Sequence, residues 1–236
     1  MSESEAVDRD VRRSGARSLT SIGRRSLSVE AYRQIRRALT TGEFLPGQRL
    51  NIREIADSFG TSATPVREAL LQLVTEGALE LRAGQAISVP VLTQETYLEL
   101  RDLRLNLEGM GAARAAERAS NTAINKLESL HEKLIAAKER RDFKAALRWN
   151  EMFHLALCRE AGMPRLLRIV EGLWAQSGPL LNMLYADSRM PSPTDKPHGH
   201  VRVIAALRAR DPEAARAGIH DDISGGTAEL LEHLKK

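Results

Sequence analysis

The sequence predicts a mainly α-helical fold in two parts, an N-terminal winged helix-turn-helix and an all-α bundle of about six helices. Three observations predict this fold. Residues 51–74 carry two short stretches of helical apolar periodicity separated by Gly60. Two strand-like stretches follow within residues 79–90. After Thr93 the strand signals stop, and long helical patterns continue towards the C-terminus.

The composition is that of an ordinary soluble protein, with 42% hydrophobic and 28% charged residues. At 236 residues the chain has room for two modest domains, which we place at residues 27–92 and 93–236. Residues 1–26 have no apolar periodicity and are predicted to be a disordered tail. No apolar run approaches the ~20 residues of a membrane-spanning helix, and the N-terminus lacks an apolar secretory segment, so we expect a cytoplasmic protein. The single cysteine, Cys158, is interpreted as a core residue rather than a nucleophile.

The helix-turn-helix organises the N-terminal part. Its first helix has apolar residues at i, i+3, i+4 and i+7, namely Ile52, Ile55, Ala56 and Phe59. Gly60 follows where a left-handed C-terminal cap belongs. Thr64 and Pro65 are typical of the N-cap and first turn of the second helix. The second helix has an apolar stripe of Val66, Ala69, Leu70, Leu73 and Val74.

A helix and a hairpin flank this motif. The preceding helix is predicted over Ser28–Thr41, with Val29, Tyr32, Ile35 and Leu39 facing inward. After the motif, Leu79–Arg82 and Ile87–Val89 are predicted as strands around the turn Ala83-Gly84-Gln85-Ala86. A hairpin in this place is the wing of a winged helix.

The bundle is built from long helical patterns. The predicted helices are Thr93–Ala119, Asn121–Arg141, Phe143–Ala161, Pro164–Asp187, His198–Arg210 and Pro212–Leu234. The first has an apolar stripe of Leu100, Leu103, Leu107 and Met110. Residues 188–197 contain three prolines and are predicted as a loop, and the Gly225-Gly226 pair is expected to kink or interrupt the last helix.

The N-terminal part is the candidate for DNA binding. Helix-turn-helix motifs contact bases and phosphates near the N-terminus of the second helix, where Ser62, Thr64 and Arg67 lie. Residues 11–92 hold 12 Arg against 7 acids, a net charge of +5, whereas residues 93–236 hold 22 Lys plus Arg against 20 acids, a net charge of +2. This concentration of basic charge suits phosphate contact, although a solvated arginine-rich surface has the same composition.

The bundle carries a set of polar side chains that can converge. Asn150 and His154 are four residues apart and project from one helical face, while His200, His220 and Asp222 lie on the last two predicted helices. Two imidazoles with a carboxylate and an amide suit a borderline divalent cation. Scattered histidines usually have no such role, and the remaining ones are assigned to the surface: His131, His198 and His233.

The segment FLPGQRLNIREIADSFGTSATPVREALLQLVTEGALEL resembles the winged-helix domain of GntR-family transcription regulators. The bundle resembles the FCD ligand-binding domain of the FadR-type subgroup, through RLNLEGMGAARAAERA at 104–119, NEMFHLALCREAG at 150–162 and HVRVIAALRARDPEAARAGIHDDI at 200–223. Together the resemblances cover residues 28–235. They imply a repressor that binds a pseudo-palindromic site in double-stranded DNA as a homodimer and senses a small organic acid.

The resemblance also assigns DNA contacts. They fall on Arg53, Ser62, Thr64 and Arg67, with Gln85 in the wing. The family usually has an arginine where this chain has Ala63, and a glycine where it has Ala86. Loss of a guanidinium at position 63 removes a bidentate donor, so the preferred DNA sequence is expected to differ from the family norm.

The family's metal set maps onto Asn150, His154, His200 and Asp222. Asn150 replaces an aspartate, and Asp222 rather than His220 falls on the third histidine position. One carboxylate and one imidazole are thereby exchanged for an amide and a carboxylate, so a divalent metal such as Zn²⁺ or Ni²⁺ and a metal-free polar pocket both remain open.

Arg104 matches the arginine that faces the family's pocket, where it would clamp an effector carboxylate. The alternative for this side chain is an i,i+4 ion pair with Glu108.

Two other classes of function compete with a ligand-responsive regulator. A metal-dependent hydrolase would use His154, His200 and Asp222, but no general base or nucleophile stands beside them, and a winged helix would have no purpose. An architectural DNA binder would leave a large bundle with inward polar groups unexplained. We therefore predict a regulator without enzymatic activity.

Overall fold

The computed structural model describes residues 26–82, 84, 86–186, 198–225 and 227–234, and these residues are mainly helical as predicted. The N-terminal part comprises α1 (Ser26–Thr40), α2 (Ile52–Ser58), α3 (Ala63–Thr75), β1 (Glu80–Arg82) and β2 (Ala86–Ser88). The bundle comprises α4 (Gln94–Arg118), α5 (Asn121–Glu139), α6 (Phe143–Glu160), α7 (Pro164–Ala186), α8 (Gly199–Ala209), α9 (Pro212–Gly225) and α10 (Thr227–His233). The predicted loop 188–197 and all but one residue of the predicted tail lie outside the described residues.

The winged helix-turn-helix is confirmed. Gly60 adopts a φ of 62°, which is the left-handed conformation expected of the cap after α2. The strands β1 and β2 pair antiparallel, with Leu81 opposite Ile87. The core of this part is made of side chains from α1, α2, α3 and both ends of the wing, including Ile35, Leu39, Val66, Leu70, Leu73 and Val89.

Two details of the sequence prediction were wrong in this part. The N-cap of α3 is Ser62 rather than Thr64, and Pro65 is the third helical residue. Proline fits there because the first N–H groups of a helix have no partner within the helix. Val29 is 44% exposed, and Ala31 takes the inward position instead.

The bundle packs around one large apolar cluster. It joins side chains of α4, α5, α6, α8 and α9, among them Leu127, Phe153, Leu157, Ile204 and Ile219. Cys158 is fully buried, and burial raises the pKa of its thiol, as suits a core residue. One helix ends at Gly225 and the next begins at Thr227, so the predicted interruption is confirmed. Among the helices described, none is long and apolar enough to cross a membrane.

The predicted apolar stripe of α4 is only half buried. Leu100 is buried, but Leu103 and Met110 are each 43% exposed. These two residues are seven apart and share one face of the helix. Helix α4 therefore presents apolar side chains to the outside of the chain as well as to the bundle core.

The two parts of the chain are packed against each other through α1 and α7. Ala175 of α7 is buried in the core of the N-terminal part. The Thr40 hydroxyl donates to the Glu151 carboxylate of α6 at 2.9 Å, and the Asn182 side-chain amide contacts the Thr40 carbonyl at 3.4 Å. The Gln176 amide donates to the Glu76 carbonyl at 3.0 Å. The connecting segment near residues 90–93 is thus not the only link between the parts.

Close backbone approach at this interface gives a first prediction. A Cβ at Gly178 would lie 2.7 Å from the Thr40 Cα and 3.0 Å from the Leu39 carbonyl oxygen. These are backbone atoms, so the clash cannot be relieved by a change of side-chain rotamer. We expect Gly178→Ala to lower the free energy of unfolding by about 1–3 kcal/mol. A Cβ at Gly172 on the same helix would meet no neighbouring atom of the described residues within 4 Å, so Gly172→Ala should be neutral or up to about 1 kcal/mol stabilising. Equal urea unfolding midpoints for the two variants would contradict the described packing.

Candidate functional site

The residues predicted to contact DNA lie together on one exposed surface. Arg53 opens α2, Ser62 caps α3, and Thr64 and Arg67 lie in the first turns of α3; all four are exposed. Among the described residues, neither arginine side chain has an ion-pair or hydrogen-bond partner, and the Ser62 side chain makes no capping bond. Their donors are therefore available to a ligand. Gln85 lies outside the described residues.

Three of the predicted pocket residues meet in the bundle. His154 of α6, His200 of α8 and Asp222 of α9 are 1%, 0% and 9% exposed in their side chains. The His154 Nε2 lies 3.0 Å from Asp222 Oδ2 and 3.3 Å from His200 Nε2. His200 Nε2 lies 3.5 Å from the same Asp222 oxygen. Three residues distant in sequence thus present three atoms around one point.

Close packing of α8 against α9 brings His200 next to Asp222. A Cβ at Gly199 would lie 2.5 Å from the Asp222 Cβ and 2.7 Å from the Gly218 carbonyl oxygen. The glycine before His200 therefore allows the start of α8 to lie directly against α9.

A second carboxylate, Glu108 of α4, contacts His154 at the ring nitrogen that faces away from Asp222 and His200. Its Oε2 accepts from His154 Nδ1 at 2.5 Å, and its Oε1 accepts from Arg104 Nε at 2.6 Å. The Arg104 guanidinium also lies 4.0 Å above the ring centroid of Trp174. Arg104 is therefore held in the i,i+4 ion pair that the sequence left open, and its charge is already neutralised.

The role of Glu108 towards His154 was missed in the sequence. A signal was present, because Leu100, Arg104, Glu108 and Ala112 recur every four residues on one face that is otherwise apolar. Two charged residues on a buried stripe require partners in the interior.

The cluster forms a buried chain of alternating charge. Burial disfavours the charged form of His154, but the carboxylates of Glu108 and Asp222 outweigh burial and raise its pKa to about 9. Burial likewise opposes ionisation of Asp222, yet the surrounding imidazoles hold its pKa well below the usual range. For His200 burial dominates and lowers the pKa to about 3. Metal-free protein therefore carries an imidazolium at His154 beside a neutral His200.

The three converging atoms have the spacing of one face of a tetrahedral metal site. Bonds of 2.0–2.1 Å in a tetrahedron place neighbouring ligand atoms about 3.3 Å apart. The observed separations of 3.0, 3.3 and 3.5 Å bracket that value. His154, His200 and Asp222 thus fit a divalent ion such as Zn²⁺, with the fourth position open. Glu108 would then orient His154, as carboxylates commonly do for metal-bound imidazoles.

The other candidate residues are placed differently. Asn150 is half-buried and makes no hydrogen bond with any described residue, so nothing here joins it to the cluster. His220 donates from Nε2 to the Leu105 carbonyl at 2.9 Å, away from the three converging atoms. The surface assignment was wrong for His131 and His198, which are half-buried beside His200. His198 Nδ1 lies 3.0 Å from Asp222 Oδ1.

Family models match both parts of the chain. The model described as bacterial regulatory proteins, gntR family, matches residues 27–89, and the FCD domain model matches residues 99–225. The HTH-type transcriptional regulator McbR of Escherichia coli is 34% identical over 211 residues, covering 89% of this chain and 96% of McbR. The chain belongs to the GntR family. Within it, the FCD domain places this regulator in the FadR-type subgroup.

Other similar proteins agree with this membership. A probable D-xylose utilization operon transcriptional repressor of Paenarthrobacter nicotinovorans is 32% identical over 183 residues, covering 75% of this chain and 76% of that one. The solved structure of E. coli McbR/YncC has a TM-score of 0.78 at 32% identity, covering 88% of this chain and 98% of that chain. These relatives are named as regulators, and this GntR-family chain is a transcription regulator rather than a hydrolase.

Proposed function

We propose that this GntR-family regulator is a cytoplasmic repressor that binds a pseudo-palindromic DNA site as a dimer and is controlled by a small organic acid in the FCD pocket. The observation that carries the proposal is the buried cluster of His154, His200 and Asp222, because His154 lies on α6, the helix that also contacts the DNA-binding part. A divalent ion held by the cluster would supply a Lewis-acidic position for an effector carboxylate. Asn150 is proposed as a further ligand beside that position, since Zn²⁺ can expand from four to five ligands.

The contacts of α6 support effector control. His154 and Glu151 are three residues apart on this helix, so one turn carries both a pocket ligand and the acceptor of the Thr40 hydroxyl. Thr40 ends α1, which packs beside α3 in the N-terminal core. A shift of α6 on effector binding would therefore act directly on the winged helix.

The carboxylate contact needs a different donor from the one predicted. Arg104 is paired with Glu108 and packed on Trp174, so its guanidinium has little left to offer a ligand. We assign Arg104 the role of fixing Glu108, and through it His154, while the open metal position receives the carboxylate.

The exposed face of α4 supports a dimer. Leu103 and Met110 lie on one face of a long helix, and a twofold axis beside this face would bury both pairs. Two recognition helices related by that axis would read two half-sites in successive turns of the major groove. We expect sedimentation at the mass of a dimer and a footprint with two related half-sites. A monomer that protects a single unrepeated half-site would refute the proposal.

The effector class is tested by thermal shift. Only a ligand of the folded state raises the melting temperature, so a panel of mono-, di- and tricarboxylates can be screened with Zn²⁺ present and with a chelator. We expect at least one carboxylate to stabilise the Zn²⁺-loaded protein and to lose its effect in His154→Ala. A panel without effect would exclude the organic-acid effector, while DNA binding would remain testable by itself.

A further inference from the structure

Three histidines form a second group beside the pocket, on its solvent side. His131 of α5, His198 before α8 and His200 each offer a ring nitrogen, and these nitrogens lie within 4.8 Å of one another. Ring centroids are 5.4 Å apart for His131 and His198, 5.5 Å for His131 and His200, and 4.5 Å for His198 and His200. Only His200 belongs also to the inner group.

Two nitrogens of this group lack any hydrogen-bond partner. His131 Nδ1 and His200 Nδ1 are buried and unpartnered among the described residues. A buried polar atom without a partner costs free energy, so it indicates a ligand that would satisfy it. The His200 side chain is fully buried, and its other nitrogen already faces His154 and Asp222.

We propose that His131, His198 and His200 form a second binding site for a divalent transition-metal ion. Three neutral imidazoles suit Zn²⁺, Ni²⁺, Co²⁺ or Cu²⁺ and do not suit Mg²⁺ or Ca²⁺, which prefer oxygen. His131 and His198 are half-buried, so an ion can reach this site from solvent and keep a water or an anion as a further ligand. The inner group is more deeply buried, with side chains that are 0–9% exposed.

The second site binds more weakly than the inner one. Its three ligands are all imidazoles, whereas the inner group includes the Asp222 carboxylate. The Lys138 ammonium also competes for the site, because its Nζ lies 3.3 Å from His198 Nε2. Removal of this charge should therefore tighten metal binding, which would not occur if the histidines served packing alone.

The test is Co²⁺ titration, followed by absorption, of untagged His154→Gln protein, in which the inner group has lost its α6 imidazole while Asp222, which also contacts His198, is kept. We expect His154→Gln to bind Co²⁺, and the added change His131→Ala to weaken binding about tenfold or more. Glu132→Ala, at the exposed neighbouring position, is the control and should leave the affinity unchanged. Lys138→Met in the same background should raise the affinity.

Unchanged Co²⁺ affinity on adding His131→Ala, or no Co²⁺ binding by folded His154→Gln protein, would overturn the second site. Circular dichroism checks folding, and if His154→Gln does not fold, His154→Asn disables the inner group from α6 and permits the same comparison. The test involves neither DNA nor an organic acid, so its failure is distinct from failure of the proposed function.

Discussion

Replacing Arg67 by alanine is expected to abolish sequence-specific DNA binding and to leave the fold intact. The side chain is exposed on α3, outside the stripe that buries Val66 and Leu70, and has no partner among the described residues. A good base contact contributes about 1–3 kcal/mol, and a dimer would lose two of them. Fluorescence anisotropy with a duplex selected by wild type from a random library measures the loss.

The matched control for Arg67 is Arg140→Ala. Arg140 is an exposed arginine at the end of α5, so this change removes the same charge away from the DNA surface. We expect it to change affinity only slightly. Loss of a base contact of about 1–3 kcal/mol should lower the affinity for DNA clearly. If Arg67→Ala binds the selected duplex with an affinity within about threefold of wild type, Arg67 is not a DNA contact.

The change Glu108→Gln is expected to destabilise the protein by about 3–5 kcal/mol, because it leaves the buried charges of Arg104 and His154 without their shared carboxylate. Burial alone would raise the pKa of Glu108, but Arg104 and His154 hold it below its ordinary value. The stabilisation is therefore present at neutral pH and is lost as the pH falls below the ordinary carboxyl range. The difference in free energy of unfolding between Glu108→Gln and wild type should therefore become smaller at acidic pH.

The control for Glu108 lies on the same helix. Glu117 pairs with Arg114 at 2.7 Å, but both side chains are about half exposed, so solvent screens the pair. Glu117→Gln should change the free energy of unfolding by less than about 0.5 kcal/mol. Urea unfolding of the metal-free proteins compares the two variants, and similar small effects would show that the buried network does not stabilise the fold.

The elements of the fold were predictable because each carries a local signal. Apolar periodicity predicted the helices, and the glycine at position 60 predicted the turn, where the structure has a positive φ. The prediction failed for the burial of individual side chains. Val29, Leu103 and Met110 share the periodicity of buried residues, yet they lie where no other described element covers them. Periodicity identifies a helix face but not whether another element packs on it.

The site was predictable only in part, for a similar reason. His154, His200 and Asp222 were found through motif positions, and their convergence depends on helix packing that no local pattern encodes. The involvement of Glu108 and of His131 and His198 arises from contacts across α4, α5, α6 and α8. Sequence spacing informs about neighbours one turn apart, such as Arg104 and Glu108, and not about neighbours on separate helices.

We propose that the state of the pocket sets the affinity for DNA through the contact of Thr40 with Glu151. Burial raises the pKa of Glu151, and the Thr40 hydroxyl is its hydrogen-bond partner across the interface between the two parts. Thr40→Val removes that bond, together with the contact of the same hydroxyl with the Arg37 carbonyl at 3.0 Å, without a large change of volume. Thr41→Val is the matched control, because the neighbouring hydroxyl bonds only within its own segment, to Arg37 and Glu43.

The most direct test measures affinity for the selected duplex with and without the carboxylate that most stabilises the Zn²⁺-loaded protein. Wild type and Thr41→Val are expected to show a change of about 5- to 150-fold, the usual range of allosteric coupling, and Thr40→Val a much smaller one. Linkage requires DNA to alter the carboxylate affinity by the same factor, which calorimetry can check. Equal DNA affinities of wild type with and without the carboxylate would contradict effector control by this pocket.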